Sequence, residues 1–450
     1  MADVLSLHPL PPHPLPPHPL PQSPSQDQES VEQTFADRTF ADQSFEDDID
    51  RANALSQQAI ELYQQGRYTE AVPLVMEAIA LEEGVLGPSH PEVANSLNNL
   101  ALLYQAQGRY DAALPLNQRA LAIRESALGE AHPDTAFAID SLASIYREQG
   151  NYAAALQLYV RSLTIYESLL GEDNLGLAAN LNNLAGIYKL QGDYSAALPL
   201  YERTLAIYEM KLGPDHPNVA VSLNNLADLY RALGDYGTAL PLYERALDIR
   251  ESQLGPDHPD VATTLNNLAA LYQAQRDYSA AEPLYKRAIA IQIATLGESH
   301  PRVASSLNNL AELYRLQGNY AAALPLYERA LAIGEAILGE NHPDVATTLN
   351  NLAELYRARG NNTLARSLHE RALAIRTEAL GGNHPAVAFS LSNLAGLYHE
   401  QGNDETAIQL YEQALSIVQS AWGAAHPDAV TIEENLTGIQ ETMGLQELGE

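Results

Sequence analysis

The sequence predicts an all-α protein, a solenoid of antiparallel helix pairs that follows a disordered N-terminal tail. Three observations lead to this fold class: a fixed repeat period, helical spacing of apolar residues within each repeat, and a change of composition near residue 48. His-Pro pairs mark the period, because they recur every 42 residues or twice 42, from His90 and His132 to His426. Such a period is typical of arrays whose units bury their apolar faces against one another.

The tail, residues 1–48, differs in composition from the rest of the chain. It is rich in proline, which favours extended polyproline II conformations, and it has nine acidic residues against one basic residue, Arg38. This composition predicts disorder. A five-residue pattern places Phe35, Phe40 and Phe45 beside acidic residues. One interpretation is a docking motif, and the other is residual helix next to the first repeat without a binding role.

Each repeat contains two helices. In helix A, Leu97, Leu100, Ala101 and Tyr104 have the spacing of one helical stripe, and Gly108 ends the helix. Helix B, such as residues 320–333, has its proline in the first turn, where proline is tolerated. Two helices and two short turns fill the repeat, so no strand is expected. The prediction is nine pairs over residues 49–427 and a capping helix over 428–450.

The apolar and small residues of one repeat carry a family resemblance. The residues concerned are Leu265, Leu268, Ala269, Tyr272, Tyr278, Ala281, Tyr285 and Ala288. This pattern resembles the tetratricopeptide repeat, in the 42-residue form of kinesin light chains and their bacterial relatives, and a bacterial member is expected. The resemblance covers residues 49–450. It implies a right-handed superhelix whose A helices line a concave groove that holds peptide segments of partner proteins.

Asparagines form a ladder along the A helices. With the buried stripe of helix A at 0°, Asn98 lies near 100°, at about 100° per residue. Amides can bond to an extended peptide backbone, so these residues are predicted to line the groove. The alternative is that they bridge neighbouring A helices. The predicted groove residues are Asn98, Asn182, Asn183, Asn224, Asn225, Asn266, Asn267, Asn308, Asn309, Asn350 and Asn351.

Cations recur one to two turns beyond the asparagines. Arginine can form a forked contact with a carboxylate, so an acidic peptide is one predicted ligand. The alternative is pairing along the helix, because Asp228, Glu312 and Glu354 lie three residues before three of the arginines. The predicted cationic groove residues are Arg147, Lys189, Arg231, Arg315 and Arg357.

Composition excludes several functions. The net charge of −32 makes nucleic acid and anionic membranes unexpected partners, and the absence of cysteine suits a cytoplasmic location. No catalytic motif, metal site or cofactor is predicted. The His-Pro histidines are expected to cap turns. The main departures from the repeat are Phe137, Asp140, Asn174, Leu175, Arg276, Asn362 and His369.

The predicted function is a non-enzymatic protein–protein interaction scaffold or adaptor. Its ligand is expected to be an extended, acidic or acidic-aromatic peptide segment held in the concave groove. A further hypothesis places Phe35, Phe40 and Phe45 of the chain's own tail in that groove. The alternative function is a regulatory receptor for a short signalling peptide.

Overall fold

The computed structural model describes residues 35–171 and 173–447, and these contain helices and connecting turns but no strand. The helices are α1 Phe35–Gln64, α2 Tyr68–Leu86, α3 Pro91–Ala106, α4 Tyr110–Leu128, α5 Pro133–Glu148, α6 Tyr152–Leu170, α7 Leu175–Leu190, α8 Tyr194–Leu212, α9 Pro217–Ala232, α10 Tyr236–Leu254, α11 Pro259–Ala274, α12 Tyr278–Leu296, α13 Pro301–Leu316, α14 Tyr320–Ile337, α15 Pro343–Ala358, α16 Asn362–Leu380, α17 Pro385–Glu400, α18 Asp404–Trp422 and α19 Pro427–Glu447.

Odd-numbered helices up to α17 are the A helices, and even-numbered helices are the B helices. Each A helix packs most extensively on the B helix that follows it, and each pair then packs on the next. The predicted all-α solenoid of helix pairs is confirmed. One boundary differs: α1 begins at Phe35 rather than near residue 49, so the end of the predicted tail has a helical backbone. The disorder predicted for residues 1–34 lies outside the described residues, as do the side chains of Phe35, Phe40 and Phe45.

The His-Pro pairs start the A helices. In α9, Nδ1 of His216 accepts a hydrogen bond from the backbone N–H of Asn218 at 3.1 Å, and Pro217 occupies the first helical position. This arrangement satisfies one of the free N–H groups at the helix start, while proline lacks the N–H that would be free in any case. The predicted capping role of these histidines is confirmed at His216, and His258 makes the same contact.

Successive turns of the solenoid touch where an early A helix ends and a later one begins. A Cβ atom added to Gly66 or Gly108 would lie 2.8 Å from Cδ of Pro301 or Pro343. At Gly150 and Gly192 it would lie 2.6 and 2.7 Å from a ring carbon of the facing histidine. We call this contact the seam; its residues are Gly66, Gly108, Gly150 and Gly192 on one side and His300, His342, His384 and His426 on the other.

The seam histidines hydrogen-bond in two directions. Nδ1 of His342 accepts from the N–H of Asp344 at 3.1 Å, and the ring also hydrogen-bonds to the backbone of Ala106 in the facing turn. Because Nδ1 is an acceptor, the proton lies on Nε2, which donates to that backbone. The side chain of His342 is 6% exposed, against 39% for His258, which does not belong to the seam. Burial lowers the pKa of His342.

Two separate requirements favour glycine at the seam: a positive φ and the close approach of a facing turn. Gly150 and Gly360 both have positive φ, 71° and 78°, which costs an L-residue about 1 kcal/mol or more. Only Gly150 also faces another turn, since nothing lies within 4 Å of a Cβ added to Gly360. Comparing substitutions at these two glycines therefore distinguishes the effect of backbone strain from the effect of contact between turns.

We predict that Gly150→Ala opens the seam and that Gly360→Ala does not. Both variants should lose stability from the positive φ, but only Gly150→Ala forces its Cβ against the ring of His384. Small-angle X-ray scattering should show a longer particle for Gly150→Ala and an unchanged one for Gly360→Ala. Identical scattering curves for the two variants would show that the seam does not hold the turns together.

Candidate functional site

In four repeats the first asparagine of the pair lies inside the stack of A helices rather than in a groove, whereas Asn182 is half-buried. Asn266 is 4% exposed, and its Nδ2 donates to Oγ of Ser306 on the next A helix at 2.7 Å. Asn224 makes the same bridge to Thr264 at 3.1 Å. The predicted groove position of these residues is thereby corrected, and bridging between helices, the alternative, is what the structure shows. The buried members are Asn224, Asn266, Asn308 and Asn350.

Asn98 lacks the partner that its equivalents have. Both Nδ2 and Oδ1 of Asn98 are buried without a hydrogen bond in the described part of the chain. The residue that corresponds to Ser306 is Ala138, which has no hydroxyl group. A buried amide without a partner costs stability because it gives up its hydrogen bonds to water.

We predict that Ala138→Ser stabilises the protein by about 1 kcal/mol, because the new hydroxyl group completes the bridge to Asn98. Thermal denaturation followed by circular dichroism should show a higher Tm. In the control, Asn98→Ala is combined with Ala138→Ser, and the gain should disappear. A gain that persists without the Asn98 amide would contradict the bridge.

The second asparagine of each pair remains on the accessible surface of the A helices. These residues are half-buried, and the helical wheel places them near 200°, opposite the stripe that faces the core, at about 100° per residue. Nδ2 of Asn225 donates to Oδ1 of Asn182 at 2.7 Å, and Asn351 makes the same contact with Asn308 at 3.2 Å. We call this set the asparagine row; its members are Asn183, Asn225, Asn267, Asn309 and Asn351.

The predicted groove cations are paired with carboxylates. Nε of Arg231 lies 3.0 Å from Asp228 Oδ1, and Nε of Arg315 lies 2.7 Å from Glu312 Oε2. Lys189 reaches the same Asp228 from the preceding A helix. Burial alone would raise the pKa of Asp228, but Lys189 and Arg231 hold it well below its ordinary value.

The remaining predicted groove cations are also paired with carboxylates. Arg147 pairs with Glu148 at 2.6 Å, and Arg357 pairs with Glu354 at 2.6 Å and with Glu400. Pairing within the solenoid, the alternative reading of these cations, is therefore what the structure shows. An acidic ligand would have to displace carboxylates that are already bound, so the ion pairs do not favour the predicted acidic preference.

Asp140 forms a variant of the bridge between A helices. It occupies the position of the first asparagine, and Asn180 stands where other repeats have serine or threonine. Nδ2 of Asn180 donates to Oδ1 of Asp140 at 2.8 Å, and Ser162 donates to the same oxygen. Burial raises the pKa of Asp140 to about 7, against the lowering effect of these hydrogen bonds.

His369 is a second departure with a structural role. It replaces a helix B tyrosine and is fully buried. Its Nδ1 lies 2.8 Å from Oδ1 of Asn350, and its Nε2 lies 3.2 Å from Oε1 of Glu354. The ring therefore connects an amide bridge with the Glu354–Arg357 ion pair. Burial raises the pKa of Glu354, but His369 and Arg357 lower it more strongly, to about 2.

We predict that the stability of the wild-type protein falls relative to Asp140→Asn between about pH 4 and pH 7. In the unfolded chain Asp140 ionises near its ordinary pKa of 3.8, whereas the folded protein holds the proton until about pH 7. The folded state binds more protons in this window, so rising pH favours unfolding. Tm of both proteins should be measured at pH 5 and pH 8, and the variant should gain roughly 2 °C on the wild type. A constant difference would contradict the raised pKa.

The described helices contain no span with the length and apolarity that a membrane crossing requires. Stacked antiparallel helix pairs of fixed period, with A helices joined by amide bridges, define an α-helical repeat protein of the solenoid class. The family model of the tetratricopeptide repeat matches the chain at residues 50–126, 97–168, 134–210, 176–252, 222–294, 260–336, 302–362 and 344–420. The chain belongs to the tetratricopeptide repeat family.

Solved structures with related folds include kinesin-light-chain-like proteins. A putative kinesin light chain of Podosopora anserina with nearly identical TPR-like repeats is 29% identical, with a TM-score of 0.39 over 46% of this chain and 97% of that one. BtubC (BKLC) of P. vanneervenii is 30% identical, with a TM-score of 0.42 over 52% of this chain and 92% of that one.

A third structure shares the fold over more of the chain. It is a Rap protein complexed with Competence and Sporulation Factor, 17% identical, with a TM-score of 0.53 over 83% of this chain and 98% of that one. At this identity the likeness concerns the fold alone. No curated protein sequence matches the chain.

Proposed function

We propose that this protein is a non-enzymatic scaffold that binds an extended peptide segment along the asparagine row. Membership of the tetratricopeptide repeat family supports the general role, a protein–protein interaction scaffold. The observation that carries the specific proposal is the asparagine row itself, one partly accessible amide on each of five consecutive A helices. Asn183, Asn267 and Asn309 make no side-chain hydrogen bond to the described part of the chain, so their amides are available to a ligand.

The spacing of the row suits an extended ligand. Packed helices lie roughly 8–10 Å apart. A polyproline II segment repeats every third residue, at about 9.3 Å, so its backbone carbonyls return in step with successive A helices. Amides can donate hydrogen bonds to such carbonyls whatever the side chains of the ligand are. The protein would then select ligands by their extended backbone conformation.

The more specific predictions from the sequence remain proposals with less structural support. An acidic or acidic-aromatic ligand is not favoured by the ion pairs of Arg231, Arg315 and Arg357. A contact of Phe35, Phe40 and Phe45 with the groove concerns side chains outside the described ones. No observation on particular residues favours the alternative function, a receptor for a short signalling peptide. The cytoplasmic location and the absence of nucleic acid among the partners stay predictions.

We predict that the triple variant Asn183→Ala, Asn267→Ala and Asn309→Ala loses peptide binding without losing stability. Peptides of about twelve residues would be selected on the wild-type protein from a random library, and their Kd measured on both proteins. Three lost hydrogen bonds of about 0.5–1.5 kcal/mol each predict at least a tenfold weaker Kd.

The matched control for this experiment is Asn266→Ala. It removes a buried bridge to Ser306 and should therefore lower Tm. Unchanged Kd in the triple variant would sink the proposal for the asparagine row. Enrichment of Asp and Glu in the selected peptides, with binding that weakens in salt, would restore the acidic preference.

A further inference from the structure

Ion pairs clamp consecutive B helices together on the face away from the A helices. In each clamp an arginine near the middle of one B helix reaches a glutamate near the end of the preceding one, at distances of 2.5–3.2 Å. The clamps are Arg119–Glu83, Arg161–Glu125, Arg203–Glu167, Arg245–Glu209, Arg287–Glu251 and Arg371–Glu335. Arg329 pairs instead with Glu298, at 3.3 Å, because Ile293 occupies the place of the glutamate.

The clamp is missing between α16 and α18. Gln413 stands where the arginine would be, and Thr377 stands where the glutamate would be. A cleft of about 710 Å³ lies at this place and is lined by both residues. Because both halves of the clamp have changed and neither substitute is charged, the two B helices are not joined by an ion pair there.

The lining of the cleft indicates what it can bind. Its floor is apolar, formed by Leu373, Val387, Leu391 and Ile417. Its rim provides amide and hydroxyl donors, Asn383, Gln409, Gln413, Thr377 and Ser416, and Glu412 is the charged residue that lines it. A suitable ligand has apolar side chains and carbonyl groups that need donors, and it carries no acidic residue.

The N-terminal segment of the chain has this chemistry. Between Asp3 and Asp27 there is no Lys, Arg, Asp or Glu, in a protein whose net charge is −32. The segment contains three His-Pro-Leu-Pro units, which begin at His8, His13 and His18. Proline has no N–H to offer, and a polyproline II backbone leaves its carbonyls free for outside donors. The leucine of each unit suits the apolar floor, and the histidine suits Glu412.

The connection to α1 is long enough. Leu380, at the end of α16, packs against the buried cluster that contains Tyr110 of α4, so the helix that forms one side of the cleft contacts the early helix pairs. The length of α1, 30 residues, is about 45 Å. The 23 residues from Pro12 to Thr34 can span up to roughly 75 Å. Tethering also raises the effective concentration of the segment, to the order of millimolar for short flexible linkers.

We propose that a His-Pro-Leu-Pro unit of the chain's own N-terminal segment binds in the cleft between α16 and α18. This contact is separate from the asparagine row, so either proposal can fail without the other. It assigns a binding site to the outer face of the solenoid, formed by the loss of one clamp.

The test uses the full-length chain, which has no cysteine of its own. A nitroxide is attached at Gln409→Cys, on the rim of the cleft, and the NMR signals of Leu10, Leu15 and Leu20 are recorded. The matched control carries the label at Ser367→Cys, the equivalent exposed position one repeat earlier. At least one leucine should relax about tenfold faster with the label at 409 than with the label at 367.

A second variant rebuilds the clamp. Thr377→Glu with Gln413→Arg reproduces the ion pair of the other B helices and should fold, which circular dichroism can verify. The relaxation caused by the label at 409 should then fall to the level of the control. Relaxation that is equal from both labels, or that survives the rebuilt clamp, would overturn the proposal. Relaxation that appears only between labelled and unlabelled copies would overturn it too, by assigning the cleft to a second molecule.

Discussion

The constant step from one helix pair to the next is the constraint on which the structure depends. Every repeat has the same length, so each pair is placed on its predecessor in the same way and small rotations accumulate into a regular solenoid. The start of α13 then comes to lie on the end of α1, and the same contact recurs at the three following A helices. An insertion of a few residues in one loop between these helices would shift every later contact of the seam.

The seam explains where the repeat can vary. Gly66 and Gly108 are buried under the following turn, whereas Gly318 and Gly360 are exposed. Arg276 takes the place of glycine at an exposed position of this kind, with φ of 61°. Arg276 adopts a strained left-handed backbone conformation, but its Cβ does not contact a facing turn. The demand for glycine is therefore strict under a facing turn and weaker where only the backbone conformation matters.

The fold could be predicted from the sequence because its signals are local. Helix stripes, capping glycines and His-Pro starts all lie within a few residues of the structure that they specify. The site could be predicted only in part, since its contacts join different helices. The pair Asp228–Arg231 is visible at a spacing of three, but Lys189 reaches Asp228 from another A helix. The bridge from Asn224 to Thr264 depends on helix packing, which a wheel drawn for one helix does not contain.

The same geometry limits how a ligand reaches the A helices. At the seam, the end of an early A helix contacts the start of a later A helix. The surface that the A helices form is therefore closed where successive turns meet. A segment bound along the asparagine row would have to enter from an end of the solenoid, or the seam would have to open first. Opening breaks the hydrogen bond from His342 to the backbone of Ala106 and exposes the glycine beneath. The contact that fixes the pitch of the solenoid thus also opposes entry from the side, which favours ligands that are long, thin and already extended.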